Sequence, residues 1–148
     1  MVIDHIGIVV SSIEEGIRRW EQMFDYRQIS PVVHNSRQKV RVTFLVKEGS
    51  VMIKLVEPSD PTSPVWTVAR KGGGLHHLCF RCESIDSSIR TLKEVDARVI
   101  VPPEPGEAFR NHEIAFLLVP GNLNCELIDT AEKVLLSTPS ATIGSNHI

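Results

Sequence analysis

The sequence predicts an α+β domain in which two βαβββ modules enclose one cleft. Three observations lead to this fold class. The chain repeats itself at one constant offset, which places His5 over His77 and Phe44 over Phe116. Each copy has the pattern of an apolar strand, an amphipathic helix and three further strands. The segments Glu48-Gly49-Ser50 and Pro120-Gly121-Asn122 supply glycine for equivalent hairpin turns. A repeat of this kind packs one copy against the other.

The first module covers residues 1–58. It begins with a strand at Asp4–Val10, and a helix follows over SSIEEGIRRWEQMF. Ser12 and Glu15 have the spacing of a capping box, which satisfies free backbone amides at the start of a helix. Three further strands are predicted around Gln28–Val32, Val40–Val46 and Val51–Glu57.

The second module covers residues 76–130 and follows the same plan. Its strands are predicted at 76–82, 98–101, 113–119 and 124–129, with a helix over SIDSSIRTLKEV after the first. Residues 59–75 connect the modules through a proline-rich loop and a short helix. Residues 1–136 are therefore predicted to form a single domain, and the small, polar residues 137–148 a flexible tail.

Composition excludes several classes of function. The chain has 148 residues and a net charge of −2, which gives no electrostatic reason to expect a nucleic acid or an acidic membrane as partner. No apolar run approaches the roughly 18 residues that a membrane span needs, and the N-terminus does not read as a signal peptide. The three cysteines have no framework spacing. Free thiols in a reducing compartment are expected, hence a cytoplasmic protein.

The segment KGGGLHHLCFRC, residues 71–82, contains three glycines, two histidines and a Cys-x-x-C spacing. Side chains alternate along a strand, so His77 is expected on the same face as His5, and His76 on the helix side. The same alternation places Cys79 and Cys82 on opposite faces, which rules out a shared metal or a redox pair. The glycines precede a strand rather than a helix and are interpreted as a connection between the modules.

Lys54 and Glu126 are separated by the same offset, and each stands in the middle of an apolar strand. An unpaired buried charge costs several kcal/mol, so charges at these positions indicate the polar lining of a cleft. His5, Lys54, His77 and Glu126 thus occupy symmetric positions of the repeat.

With DHIGIVV opening one module and HHLCF the other, the chain resembles the vicinal oxygen chelate superfamily, which has the glyoxalase-like fold. Within it, EPSDPTSPVW, GGGLHHLCF and AFLLVPGNLNCELID are most similar to the methylmalonyl-CoA epimerase branch. The resemblance implies a divalent metal (Zn, Mn, Co, Ni or Fe) on His5, His77 and Glu126. Such a metal would stabilise an enolate formed next to a carbonyl, and a homodimer is implied as well.

The sequence departs from this family at two places. Lys54 stands where the family has glutamine or glutamate, and an ammonium group has no lone pair for a metal. The stretch VVHNSRQKVRV lacks the acidic residue that epimerases use as one of two bases.

Three functions stay open. The first is a metal-dependent isomerase or lyase acting next to a carbonyl, on an acyl thioester among other candidates, with Glu126 and Lys54 as catalytic residues. The second is a small-molecule binding or resistance protein that uses the same cleft without catalysis. The third is a metal-free enzyme in which Lys54 replaces the ion. Lys54 and Arg81 are the residues expected to bind an anionic substrate, and a Lys54–Glu126 salt bridge is the alternative to a metal site.

Overall fold

The computed structural model describes residues 1–137. In its first half, strand β1 leads into helix α1, and four strands follow. Their bounds are β1 Val2–Val9, α1 Ile13–Phe24, β2 Arg27–Gln28, β3 Val33–Asn35, β4 Val40–Val46 and β5 Met52–Pro58. A short helix, α2 Trp66–Arg70, forms the connector. The predicted flexible tail, apart from residue 137, lies outside the described residues.

The second half repeats this order. Its elements are β6 Gly74–Arg81, α3 Ile85–Lys93, β7 Arg98–Pro105, β8 Glu113–Val119 and β9 Leu123–Ile128, with a single 3-10 turn at Glu107–Phe109. Both long helices begin with the same cap. The Ser12 hydroxyl accepts a hydrogen bond from the Glu15 amide, and Ser84, at the equivalent position of the second half, accepts one from the Ser87 amide.

The strands form one continuous mixed sheet in the order β2-β4-β5-β1-β6-β9-β8-β7, and β3 pairs with β4. Antiparallel pairing of β1 with β6 joins the two halves at the centre. On either side of this junction, β1 pairs in parallel with β5, and β6 with β9. The strands that open and close each module are therefore neighbours, and all four meet in the middle of the sheet.

The faces of the sheet follow the predicted alternation in most places. Ile6 and Ile8 pack with Ile13 of α1 on the helix side. Phe80 and Cys82 pack with Ile85 of α3 in the same way. The other face holds a separate apolar core between the halves, which includes Val9, Phe44, Cys79, Phe109 and Ile128. The predicted two-module α+β fold with a cleft is confirmed.

One predicted strand is wrong in part. Of the segment expected as a single strand at Gln28–Val32, only Gln28 lies in a strand, β2; residues 29–32 lie in no strand, and β3 begins at Val33. Pro31 has no N–H for a sheet, which favours an interruption here. The interrupted backbone is tied to β4 instead by the buried Ser30 hydroxyl, which accepts the Phe44 amide at 2.8 Å. Among residues 1–137, no helix is long and apolar enough to cross a membrane.

Candidate functional site

A cluster of four buried side chains lies where the two halves of the sheet meet. Glu126 on β9 is at its centre and fully buried. Its carboxylate accepts hydrogen bonds from Lys54 Nζ on β5 at 3.1 and 3.2 Å. Glu126 Oε2 also lies 3.0 Å from His5 Nε2 and 2.9 Å from His77 Nε2. The structure therefore brings together the four positions expected from the repeat.

Aromatic rings surround this cluster. The His5 ring packs 5.4 Å from the ring centroid of Phe44, and Lys54 Nζ lies 5.1 Å from the ring centroid of Phe109. Phe116 packs against the second imidazole with its centroid at 5.3 Å. Because these rings exclude water, charges inside the cluster interact more strongly than they would at the surface.

Asp4 and Lys133 fix the first imidazole from behind. Asp4 Oδ2 lies 2.7 Å from His5 Nδ1, which leaves Nε2 to face Glu126. The Asp4 carboxylate is itself held by Lys133 Nζ at 3.0 Å. Lys133 is buried in the segment after β9. Burial raises the pKa of Asp4, but the hydrogen bond from His5 and the charge of Lys133 outweigh it and hold this pKa below its usual value.

The prediction that His76 points to the helix side is wrong. Gly7 pairs with His77 and Ile8 pairs with Leu75, so His76 is an extra residue in a β-bulge. A bulge interrupts the alternation of side chains and re-aims the inserted one. As a result, His76 shares the cleft with His77, and their Nδ1 atoms are 2.8 Å apart.

Burial and neighbouring charges set the protonation of Glu126, His77 and the adjacent His76. Burial raises the pKa of Glu126, but the charge of Lys54 and the contacts with the His5 and His77 rings hold it well below its usual value. Burial lowers the pKa of His77 to about 4, and burial with the charge of Lys54 lowers the pKa of His76. At neutral pH the carboxylate is therefore charged, and His76 and His77 are neutral.

The cluster meets most requirements of a divalent metal site. His5, His77 and Glu126 each offer one ligand atom, and these three atoms lie within 4.8 Å of one another. Two imidazoles and a carboxylate suit several divalent metals, and a carboxylate behind the first imidazole is the usual support of a metal-bound histidine. Lys54 does not fit, because its ammonium group has no lone pair and already bonds both oxygens of Glu126.

A pocket of about 210 Å³ opens above this cluster. Its charged or protonatable lining consists of Lys54, His76 and His77. The remaining walls are mostly apolar, with a few amides, and are formed by Asn35, Gln38, Val40, Val42, Val56, Pro64, Val65, Ile100, Val101, Phe116 and Asn124. The volume suits a small acyl group rather than a whole cofactor-sized ligand, since drug-sized ligand sites begin at roughly 300 Å³.

Two other residues singled out in the sequence lie away from the pocket lining. Arg81 is half exposed, and its guanidinium lies 3.6 Å from Asp4 Oδ1 rather than in the pocket. Cys79 is fully buried opposite His5 on the neighbouring strand. Burial raises the pKa of its thiol, so Cys79 does not supply a thiolate.

Sequence reasoning missed three residues that shape the site. Asp4 directly precedes His5. Its position is equivalent to that of His76 in the repeat, and this equivalence was the signal that could have identified it. Phe109 lies in the 3-10 turn, outside the repeated strands. Lys133 follows the last strand in a polar stretch, and no periodic pattern marks it.

Comparison with known proteins agrees with this fold and cluster. Residues 4–116 match the family model described as the Glyoxalase/Bleomycin resistance protein/Dioxygenase superfamily. The uncharacterized protein YqjC of Bacillus subtilis is 31% identical over 88% of this chain and 91% of its own. The mitochondrial methylmalonyl-CoA epimerase of Dictyostelium discoideum is 26% identical over 88% of this chain and 78% of its own.

A solved structure of a single-residue variant of Streptomyces coelicolor methylmalonyl-CoA epimerase, in complex with 2-nitronate-propionyl-CoA, superimposes with a TM-score of 0.73. It is 25% identical and covers 87% of this chain and 96% of its own. The resemblance to the epimerase branch is thus confirmed among relatives and structures alike. By its sequence match and its fold, this chain belongs to the Glyoxalase/Bleomycin resistance protein/Dioxygenase superfamily.

Proposed function

We propose that this protein is an isomerase or lyase that removes a proton next to the carbonyl of a small acyl thioester and stabilises the resulting enolate. One observation carries the proposal: Lys54 and His77 of the buried cluster line a small, mostly apolar pocket, and both contact the buried carboxylate of Glu126. Developing negative charge is stabilised most strongly by fixed positive groups in such a water-excluding site. The epimerase relatives and the acyl-CoA analogue bound to one of them support the substrate class.

The residues divide into two roles. Lys54 faces the pocket and is the group proposed to meet the carbonyl oxygen, while Glu126 holds Lys54 and both cluster imidazoles in place. In the form of the mechanism that the family resemblance implies, a divalent metal on His5, His77 and Glu126 would supply Lewis-acid stabilisation of the same oxygen.

His76 is the group proposed to carry the proton. It lies in the pocket beside Lys54 and His77, and imidazole is the commonest proton carrier in enzymes. The pocket lining contains no aspartate or glutamate among the residues that the structure describes. Gln38, in the stretch where epimerases place an acid, instead donates to Glu104. Both ring nitrogens of His77 are already engaged, by His76 and by Glu126, which leaves His76 as the one proton carrier. A single carrier favours isomerisation or elimination over the two-base epimerisation of methylmalonyl-CoA.

Proton exchange tests the proposal directly. The protein is incubated with propionyl-CoA and with methylmalonyl-CoA in deuterium oxide, and deuterium at the carbon next to the thioester is measured by mass spectrometry. We expect exchange above the buffer rate for at least one thioester, and loss of exchange in His76→Asn. Saturable binding of the thioesters without exchange would overturn the proposal in favour of a binding or resistance protein, a reading that the apolar pocket walls also suit.

Two further expectations remain proposals. The homodimer implied by the family resemblance is tested by light scattering of the purified chain. The cytoplasmic location is tested by cell fractionation.

A further inference from the structure

We infer that Lys54 takes the place of the family's divalent metal. A side chain of the protein, rather than a bound ion, then supplies the positive charge at the site. The inference rests on the proposed function and specifies its chemistry. It assigns to Lys54 the contact with the carbonyl oxygen of the acyl thioester and with the enolate oxygen that forms from it. The cluster then works without a resident metal ion.

The geometry of Lys54 supports this assignment. Its side chain lies almost fully buried along β5, and Nζ bonds Glu126 Oε1 and Oε2 at 3.1 and 3.2 Å. Both oxygens of the carboxylate expected to bind the metal are thereby used by the ammonium group. A metal ion can use Glu126 fully only after Lys54 has moved away or lost its proton.

The charge balance points the same way. Each of the two buried carboxylates around the site already has a buried ammonium partner: Glu126 has Lys54, and Asp4 has Lys133. A divalent ion would add two uncompensated positive charges beside Lys54 in surroundings that exclude water. Coulomb repulsion between like charges is strong in such surroundings.

Lys54 also retains the capacity to act on a substrate. An ammonium group has three N–H donors, and the two bonds to Glu126 use two of them. Lys54 contributes to the pocket lining together with His76. When the proton leaves carbon for the His76 ring, the C–H electron pair moves into the new C=C bond and the carbonyl pair onto oxygen. The third N–H of Lys54 then donates to that oxygen.

Metal content tests the inference without any substrate. Untagged wild type, Lys54→Gln and Lys54→Met are each dialysed against zinc, manganese, cobalt or nickel, desalted, and analysed by elemental mass spectrometry. Wild type is expected to retain far less than one equivalent of any metal. Lys54→Gln, which restores an oxygen donor at the fourth position, is expected to retain close to one equivalent, and Lys54→Met an intermediate amount.

Lys133→Met is the matched control, because it removes another buried ammonium, whose carboxylate partner, Asp4, is not one of the three proposed donors. It should gain no metal. Near-stoichiometric metal in wild type overturns the inference whether or not the variants fold. The inference is also overturned if neither wild type nor folded Lys54→Gln retains metal, because Lys54 is then not the group that excludes the ion. Since no turnover is measured, failure of the proposed reaction would be a separate result.

Discussion

Each half of the molecule positions one cluster histidine through the residue that precedes it, but the two halves use different chemistry. In the first half Asp4 lies 2.7 Å from His5 Nδ1, and in the second His76 lies 2.8 Å from His77 Nδ1. Both preceding residues lie at irregularities in the pairing of β1 with β6. Both halves therefore have an irregularity in strand pairing at the residue before the histidine. That residue carries a carboxylate in the first half and an imidazole in the second.

The closing strands differ in the same manner. Lys54 and Glu126 occupy equivalent positions, but they carry opposite charges and bond to each other. The repeat thus places strands and side chains at symmetric positions. The chemical properties of the site come from residues that differ between equivalent positions. Substitutions at the equivalent positions can break or refine this comparison.

The largest expected effect concerns the Lys54–Glu126 pair. Glu126→Gln leaves Lys54 buried without a counter-charge, so we expect the free energy of unfolding to fall by about 3–5 kcal/mol, as for other broken buried pairs. The double variant Lys54→Met/Glu126→Leu should recover most of that loss, because it removes both charges. Urea denaturation measures both quantities. Equal loss in the single and double variants would show that the pair is not the cause.

The two preceding residues should respond differently to equivalent substitutions. His76→Asn is expected to lower the rate of deuterium exchange by about 10²-fold, the lower end for loss of a general acid–base group, with unfolding free energy nearly unchanged. Asp4→Asn should instead lower the unfolding free energy, because Lys133 loses its charged partner. His34→Asn, at an exposed position on β3, serves as the control. A stability loss in His76→Asn as large as that in Asp4→Asn would contradict the division of roles.

Gly7 and Cys79 form the next equivalent pair of the repeat, on the cleft side of the sheet. A Cβ on Gly7 would overlap the His77 ring, whereas the Cys79 side chain already fits its position. We expect Gly7→Ala to lower the unfolding free energy by about 1–3 kcal/mol, the usual cost of overpacking. It should also displace His77, which changes the imidazole signals in NMR spectra. Cys79→Ala should leave those signals close to their wild-type positions. If Gly7→Ala changes neither the unfolding free energy nor the imidazole signals, Gly7 and His77 are not tightly packed.

The smallest effect is expected at Arg81. Its half-exposed guanidinium lies 3.6 Å from Asp4, and exposed ion pairs contribute about 0–1 kcal/mol. Arg81→Ala should therefore change the unfolding free energy little and leave the KM for a thioester substrate unchanged. A large rise in KM would restore the substrate-binding role that was expected of Arg81 from the sequence.

Much of the frame was predictable because it depends on local properties of the chain. The constant offset of the repeat, the serine caps and the placement of His5, His77, Lys54 and Glu126 on one side of the sheet follow from repeat and alternation. The proline interruption between β2 and β3 was also visible in the sequence, although a single strand was predicted there.

Features that depend on pairing across long distances emerge only in the folded chain. His76 enters the cleft because β6 pairs with β1 through a bulge, and the register between two strands is not a property of either segment. Lys133 reaches Asp4, at the opposite end of the chain, only through the path that follows β9. The order of residues specifies which chemical groups stand at the symmetric positions. Folding sets the distances between those groups, and the distances make Lys54 a partner of Glu126 as well as its counterpart in the repeat.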